Sequence, residues 1–237
     1  PLCNIKKNNR NPMKIEKKIF NDSEYKEYFL SKMGKDKTLE KTLEKALETR
    51  KFEIELYWKR TTYFWAFIAS SFAGYFVVII STEFKEMTIV VSMIGLLFSI
   101  GWYLANRGSK YWQKNWETHV DLLEDEEIGP LYGTILNPSS IKLFKISGEY
   151  PFSVSKINQI LSFSIILIWI YIFSYSFDYV FDIIQNETVE KYINMISFII
   201  IFVWTIILLI KKSETGLSKE IKKANNENNA RLVSRKK

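Results

Sequence analysis

The sequence predicts an all-α membrane protein with four transmembrane helices and both termini in the cytosol. Three observations lead to this fold class. Apolar residues are concentrated in four stretches without Asp, Glu, Lys or Arg, each about as long as a helix that crosses a bilayer. Charged residues bound every stretch. The Lys and Arg content of the intervening segments alternates between high and low, as expected for segments on alternate sides of a membrane.

The four uncharged stretches have similar lengths. They are residues 61–82, 87–106, 157–177 and 192–210, which are 22, 20, 21 and 19 residues long. Because a helix needs roughly 20 residues to cross the hydrocarbon core, each stretch is long enough. Core helices of water-soluble proteins carry a polar stripe, whereas residues 198–204 and 206–210 have none. We therefore predict two transmembrane hairpins, residues 61–106 and 157–210.

The distribution of basic residues predicts the orientation. The first sixty residues contain 16 Lys and Arg, the segment between spans two and three contains 6, and the C-terminal tail contains 9. The two short loops within the hairpins contain one Lys each, alongside several acids. Since basic segments stay on the cytosolic side, we predict that both termini are cytosolic. The bias to Ile, Asn and Lys is typical of a bacterial protein, so the expected location of this multi-pass chain is the bacterial cytoplasmic (inner) membrane. The net charge of +7 suits an anionic inner leaflet, and no nucleic-acid partner is predicted.

The segments outside the spans divide the rest of the chain. They are a polar N-terminal arm (1–36), a cytosolic helix (37–60), a second cytosolic helix with an irregular connector (107–156) and a basic tail (211–237). Residues 35–72 lack Pro and Gly, and apolar residues recur at helical spacing from Leu39 to Tyr57. One helix should therefore continue through Arg60 into span one. Its apolar stripe needs a partner, either elsewhere in this chain or in a second copy.

The second cytosolic helix contains the only histidine of the chain. Ser109 is its predicted N-cap and Gly129-Pro130 its predicted stop. Four of its residues lie on one face and form a predicted assembly or packing face: Trp112, Trp116, His119 and Leu123. A lone His cannot build a metal site, so no catalytic, metal-binding or cofactor-binding residue is predicted. If His119 were catalytic, its substitution would abolish activity and leave assembly intact.

An acidic run ends this helix. It consists of Glu124, Asp125, Glu126 and Glu127, whose charges oppose the helix dipole. The basic N-terminal arm or a neighbouring copy is the expected partner, with a divalent cation or simple solvation as alternatives. In the connector beyond, residues 141–146 alternate in polarity over part of their length and predict one short strand or hairpin arm.

Small residues recur at four-residue spacing within the first hairpin. The pairs are Ser70 and Gly74, Gly95 and Ser99, and Gly101 and Ala105. They predict close helix packing. The spans contain no Asp, Glu, Lys, Arg or His, which argues against a secondary transporter that works as a single chain. A pore is still allowed, because its walls can be small, polar or apolar.

Several residues in and after the second cytosolic helix form a motif. They are Tyr111-Trp112, Trp116-Glu117, His119-Val120, Leu123-Glu124, Gly129 and Leu131-Tyr132. This motif resembles one in the RipA-like family of bacterial octameric membrane proteins. Residues 153–158 and Trp169 are also similar to that family, so the likeness covers roughly residues 52–169. It implies a homo-oligomeric assembly connected with envelope or stress adaptation, and it implies no catalytic residues.

The first half of the chain also resembles a second family in architecture. Its order of helix, span, short loop, span and amphipathic helix is similar to that of the SLATT two-span effectors of bacterial defence systems. That resemblance implies a pore opened by a signal. The sequence thus favours a non-enzymatic membrane scaffold, and the alternative is an ion-conducting pore or membrane-disrupting effector. The expected partners are the lipid bilayer, further copies of the chain, and an unidentified cytosolic partner or signal.

Overall fold

The computed structural model describes most of the chain: residues 15–19, 21–32, 39–81, 83–135, 150–184, 189–213 and 232–235. These residues form five helices and two short strands. In chain order they are β1 (Ile15–Ile19), α1 (Asp22–Lys32), α2 (Leu39–Ile80), α3 (Met87–Glu127), α4 (Val154–Ile184), α5 (Val189–Ser213) and β2 (Leu232–Arg235). The chain divides into a terminal unit, residues 1–37 with 207–237, and a helical unit, residues 38–206.

A long antiparallel hairpin of α2 and α3 is the main part of the helical unit. The helices have 42 and 41 residues, so each is about 60 Å long at 1.5 Å per residue. Each helix is therefore about twice as long as the hydrocarbon core of a bilayer is thick, which is about 30 Å. Buried residues of α2 recur mainly at steps of three and four: Leu43, Ala46, Tyr57, Thr61, Ile68, Ser71 and Tyr75. This spacing is typical of helices that pack side by side along their length.

The predicted start of a separate helix at Ser109 is wrong, because α3 runs without a break from Met87 to Glu127. Gly108 alone does not end the helix. Ser109 is buried, and its Oγ accepts a hydrogen bond from Nη1 of Arg60 at 3.0 Å instead of capping the backbone. The helix ends at the predicted stop, where Gly129 adopts a φ of 72° that glycine tolerates best.

Helix α4 packs against α3 through a buried tryptophan. Trp169 is fully buried and stacks on Phe72 of α2, with ring centroids 4.5 Å apart. A neighbouring cluster contains Ile89 and Met93 of α3, against which side chains of α4 and α5 pack. The first part of α5 therefore belongs to the same core as the other three helices.

Three helices of the described chain are long and apolar enough to cross a membrane: α2, α3 and α4. The apolar stretch of α5 among the described residues, Ile199–Lys211, is shorter than a full span. The fourth span, residues 192–210, and the cytosolic location of both termini therefore stay predictions.

The terminal unit contains two strands that were not predicted from the sequence. Strands β1 and β2 pair antiparallel, with Lys18 opposite Val233 and Ile19 opposite Leu232. Next to β1, Asn21 caps α1 by accepting a hydrogen bond from the Glu24 N–H at 2.8 Å. The two strands are more than 200 residues apart in the sequence. Their pairing therefore cannot be predicted from a short stretch of sequence. The strand predicted at residues 141–146 lies outside the described residues.

Candidate functional site

A cluster of hydrogen-bonded polar side chains joins three helices near the predicted cytosolic ends of the spans. We call Tyr57, Asn106, Asn158 and Ser162 the inner polar cluster. Nδ2 of Asn106 donates to the Asn158 carbonyl oxygen and to Ser162 Oγ, both at 3.3 Å. Nδ2 of Asn158 donates to the Tyr57 hydroxyl at 2.8 Å. All four side chains are buried. Burial raises the pKa of Tyr57, and the Asn158 hydrogen bond partly offsets that effect.

The inner polar cluster fixes the relative depth of α2, α3 and α4. A buried amide without a partner is destabilising, so sliding α4 along α3 would break both contacts of Asn106. This cluster was not predicted from the sequence, because its members within the spans carry no charge. The available signal was an amide near the end of two uncharged stretches, since Asn106 and Asn158 are the last and second residues of predicted spans two and three.

The predicted small-residue pairs differ in how closely another helix approaches. At Gly95 an added Cβ would lie 2.4 Å from two ring atoms of Trp169. Ser99 is buried and donates to the Gly95 carbonyl oxygen at 2.7 Å. The Trp169 indole therefore occupies the space that a side chain at position 95 would need. The contact of Gly95 with Trp169 brings α3 and α4 close together.

The other small residues are in less crowded surroundings. An added Cβ at Gly101 would lie 3.2 Å from Cε1 of Phe64, and one at Gly74 would lie 3.7 Å from Cγ1 of Val91. Ser70 is exposed, and Ala105 is half-buried. The closest approach of another helix in this set is therefore at Gly95.

The predicted face of the second cytosolic helix is partly covered within a single chain. Leu123 is buried, whereas Trp112, Trp116 and His119 are half-buried. The rings of Trp116 and His119 lie 5.5 Å apart. Burial lowers the pKa of His119 from its ordinary value of 6.5, so the neutral imidazole is favoured in the folded chain.

Acid should destabilise the chain through His119. Since the folded state lowers the pKa of this group, the unfolded chain binds more protons below about pH 6.5, and stability falls as pH decreases through that range. We expect the loss of thermal midpoint between about pH 7.5 and about pH 5.5 to be smaller in His119→Gln. His119 is the only histidine, so an equal loss in both proteins would assign the acid sensitivity to carboxylates instead.

The acidic run contains a buried carboxylate, that of Glu124. Glu124 is 1% exposed and accepts hydrogen bonds from the N–H groups of Tyr132 at 2.7 Å and Gly133 at 2.8 Å. The guanidinium of Arg50 lies over the Tyr132 ring, 5.2 Å from its centroid. The partner of Glu124 is thus the backbone of the following turn, which the sequence did not predict, and the N-terminal arm or another copy stays a prediction for the rest of the run. Asp125 is exposed.

Within the described residues, no group of three or more His, Cys, Asp and Glu side chains is arranged to hold a metal ion. Large apolar side chains are also exposed on the segments that are predicted to be cytosolic. We call five of these side chains, all outside the predicted spans, the cytosolic apolar surface, after the predicted location of their segments: Phe52, Tyr111, Leu131, Ile135 and Phe152. Ile135 is 83% exposed. Large apolar side chains exposed to water are candidate contacts with a partner.

A model of the octameric membrane protein family (8xMP) matches residues 40–177, more than half of the chain. The chain belongs to this family. The matched segment comprises α2, α3 and α4 as far as Phe177, and it includes the inner polar cluster, the Gly95–Trp169 contact and the turn held by Glu124. Membership and the apolar helices identify a membrane protein of an oligomeric family. Comparison with curated proteins gave no match, and comparison with solved structures gave none.

Proposed function

We propose that this member of the octameric membrane protein family is a non-enzymatic scaffold of the bacterial cytoplasmic membrane. Eight copies assemble through the cytosolic halves of α2 and α3 and the turn that follows. The observation that carries this proposal is the cytosolic apolar surface, whose side chains are exposed in the single chain. In an octameric family, another copy of the chain is the surface that covers it.

The location of this surface matters for the energy of association. Burying one large apolar side chain from water contributes about 1.5–3 kcal/mol. The five side chains of the cytosolic apolar surface therefore supply several kcal/mol of driving force per copy. The exposed apolar residues of the spans supply no such force, because lipid tails solvate them equally well. Association through the cytosolic segments is accordingly favoured over association through the lipid-facing sides.

Strand pairing in the terminal unit supports four spans with both termini in the cytosol. Because β1 and β2 hydrogen-bond to each other, they lie on the same side of any membrane. The number of crossings between residues 19 and 232 must then be even. Helices α2, α3 and α4 are three candidate spans, and α5 makes the count even if it crosses through residues 192–210. The excess of Lys and Arg on the termini favours the cytosolic side.

The mass of the assembly tests the scaffold. In nanodiscs, after subtraction of lipid, we expect a particle eight times the 28.0 kDa chain. Introducing carboxylates into the cytosolic apolar surface, as Phe52→Glu with Leu131→Glu, should dissociate it, because a buried unpaired charge is strongly unfavourable. Lys51→Glu is the matched control, since it places a carboxylate at an adjacent position that is exposed and polar. A monomeric wild-type particle, or an octamer unaffected by the double substitution, would disprove the proposal.

The pore alternative has its own readout. The same octamer, reconstituted in a planar bilayer, should conduct no ions if it is a scaffold. Reproducible conductance that disappears in the dissociated double variant would replace the scaffold with a channel or effector. The connection with envelope or stress adaptation rests on the resemblance to the RipA-like family, and growth of a deletion strain under envelope stress tests it separately.

A further inference from the structure

A seam between α3 and α4 joins two positive charges to an apolar surface. The guanidinium of Arg107 lies over the ring of Tyr103, one turn away on α3, 5.7 Å from its centroid. The Tyr103 ring in turn contacts Phe163 of α4, with centroids 5.8 Å apart. Lys156 precedes Phe163 by seven residues, which is two helical turns, so the two share one face of α4. We call Tyr103, Arg107, Lys156 and Phe163 the α3–α4 seam.

Both charges of the seam lie at the predicted cytosolic boundary of the membrane. Arg107 directly follows predicted span two, and Lys156 directly precedes predicted span three. Both side chains are exposed, and neither forms an ion pair with a carboxylate of the described residues. The contact of Asn106 with the Asn158 carbonyl holds the two helices at matching depth. The nearby Lys110 is less available, because its Nζ lies 3.7 Å from Glu117.

The seam changes from polar to apolar toward the membrane centre. On the face of α4 that carries Lys156, the residues one, two and three turns further on are large and exposed: Ile160, Phe163 and Leu167. On α3, Tyr103 follows Arg107 in the same direction. Positive charge at the headgroup level with an apolar surface beneath it matches the two parts of an anionic phospholipid. Arg can bind a phosphate with two hydrogen bonds, and Lys adds a point charge.

A second copy of the chain fits this depth poorly. In a symmetric ring, every copy has the same residues at the same depth in the membrane. At the level of Arg107 and Lys156, α2 carries Lys59 and Arg60, as shown by the contact of Arg60 with Ser109. A neighbouring copy would thus bring more positive charge to the seam, whereas the cytosolic leaflet brings phosphates.

We infer that the α3–α4 seam binds an anionic phospholipid of the cytosolic leaflet, with its phosphate on Arg107 and Lys156 and an acyl chain along Tyr103 and Phe163. This inference rests on the orientation given under the proposed function. It gives the assembly a specific lipid partner in addition to the general attraction of basic segments to an anionic surface.

Native mass spectrometry of the full-length assembly tests the inference, with phosphatidylglycerol titrated against phosphatidylcholine. The wild type should retain phosphatidylglycerol preferentially. Arg107→Gln with Lys156→Gln should raise the dissociation constant for phosphatidylglycerol roughly ten- to thirtyfold, since each basic residue contributes about 1 kcal/mol. The control, Lys51→Gln with Lys114→Gln, removes the same charge from exposed positions away from the predicted boundary and should leave that constant unchanged.

The same spectra report the number of copies, which separates this inference from the proposed scaffold. An intact octamer that binds phosphatidylglycerol equally well with and without the seam charges would overturn the lipid site and leave the scaffold standing. Equal weakening by the control pair would reduce the effect to general charge attraction and overturn the site. Loss of the octamer in the seam variant, without loss of lipid binding, would make the seam a contact between copies and also overturn it.

Discussion

Replacing Gly95 with alanine is expected to force α4 away from α3. The new Cβ would lie 2.4 Å from the Trp169 ring, well inside van der Waals contact. The ring has no room to retreat, because Trp169 is fully buried between Phe72 and Tyr75. Overpacking of this kind usually destabilises by about 1–3 kcal/mol. We expect a lower midpoint of thermal unfolding in detergent, which can be measured by tryptophan fluorescence.

Other glycines of the same hairpin provide matched controls. Gly74→Ala places a Cβ at ordinary contact distance, and Gly108→Ala places one where nothing lies within 4 Å. Both should leave the midpoint unchanged or raise it, since Ala favours a helix by about 1 kcal/mol over Gly. Adding Trp169→Leu to Gly95→Ala should restore part of the loss, because a smaller side chain makes room for the methyl group. A Gly95→Ala midpoint equal to that of Gly74→Ala would show that the packing of α4 on α3 is different.

Truncating Glu124 should release the turn at the end of α3. In Glu124→Ala, the N–H groups of Tyr132 and Gly133 lose the carboxylate that accepts from both. Hydrogen bonds to a charged group contribute about 1.5–3 kcal/mol each, and water replaces part of that, so we expect a loss of roughly 2–4 kcal/mol. The measurement is the thermal midpoint, together with the rate of proteolysis within residues 129–135.

A neighbouring acid separates the hydrogen bonds from the charge. Glu127→Ala removes the same charge from the same helix end, but Glu127 is exposed. Its removal should be neutral or slightly stabilising, because an acid at a helix C-terminus opposes the dipole. Glu124→Gln retains one acceptor oxygen and should fall between the two. If Glu124→Ala behaved like Glu127→Ala, the turn would be held by other contacts, such as that of Arg50 with Tyr132.

The elements that follow from short stretches of sequence were predictable. The uncharged stretches predicted at residues 61–82, 87–106 and 157–177 fall on the three helices that are long and apolar enough to cross a membrane. The end of α3 at the Gly129 turn was equally predictable. Membrane insertion depends on hydropathy and length within one segment, and a glycine stop depends on one residue's backbone freedom. Each is therefore encoded locally.

Side-chain partners were less predictable, because they depend on distant segments that meet only in the folded chain. The local sequence fitted a helix start at Ser109, but the Ser109 hydroxyl accepts a hydrogen bond from Arg60 and α3 continues through it. The acidic run looked like a docking site for basic residues, yet its buried member, Glu124, binds the backbone of the next turn.

The sequence by itself determined that this is a helical membrane protein, and where three of its apolar helices lie. Only the tertiary structure decided that Asn106 and Asn158 share hydrogen bonds, that Trp169 fills the space beside Gly95, and that the two ends of the chain pair as strands. The physical reason is the range of the interactions. Hydropathy acts on each segment in the same bilayer wherever the other segments lie, whereas a hydrogen bond or a close-packed ring requires two particular segments at one register.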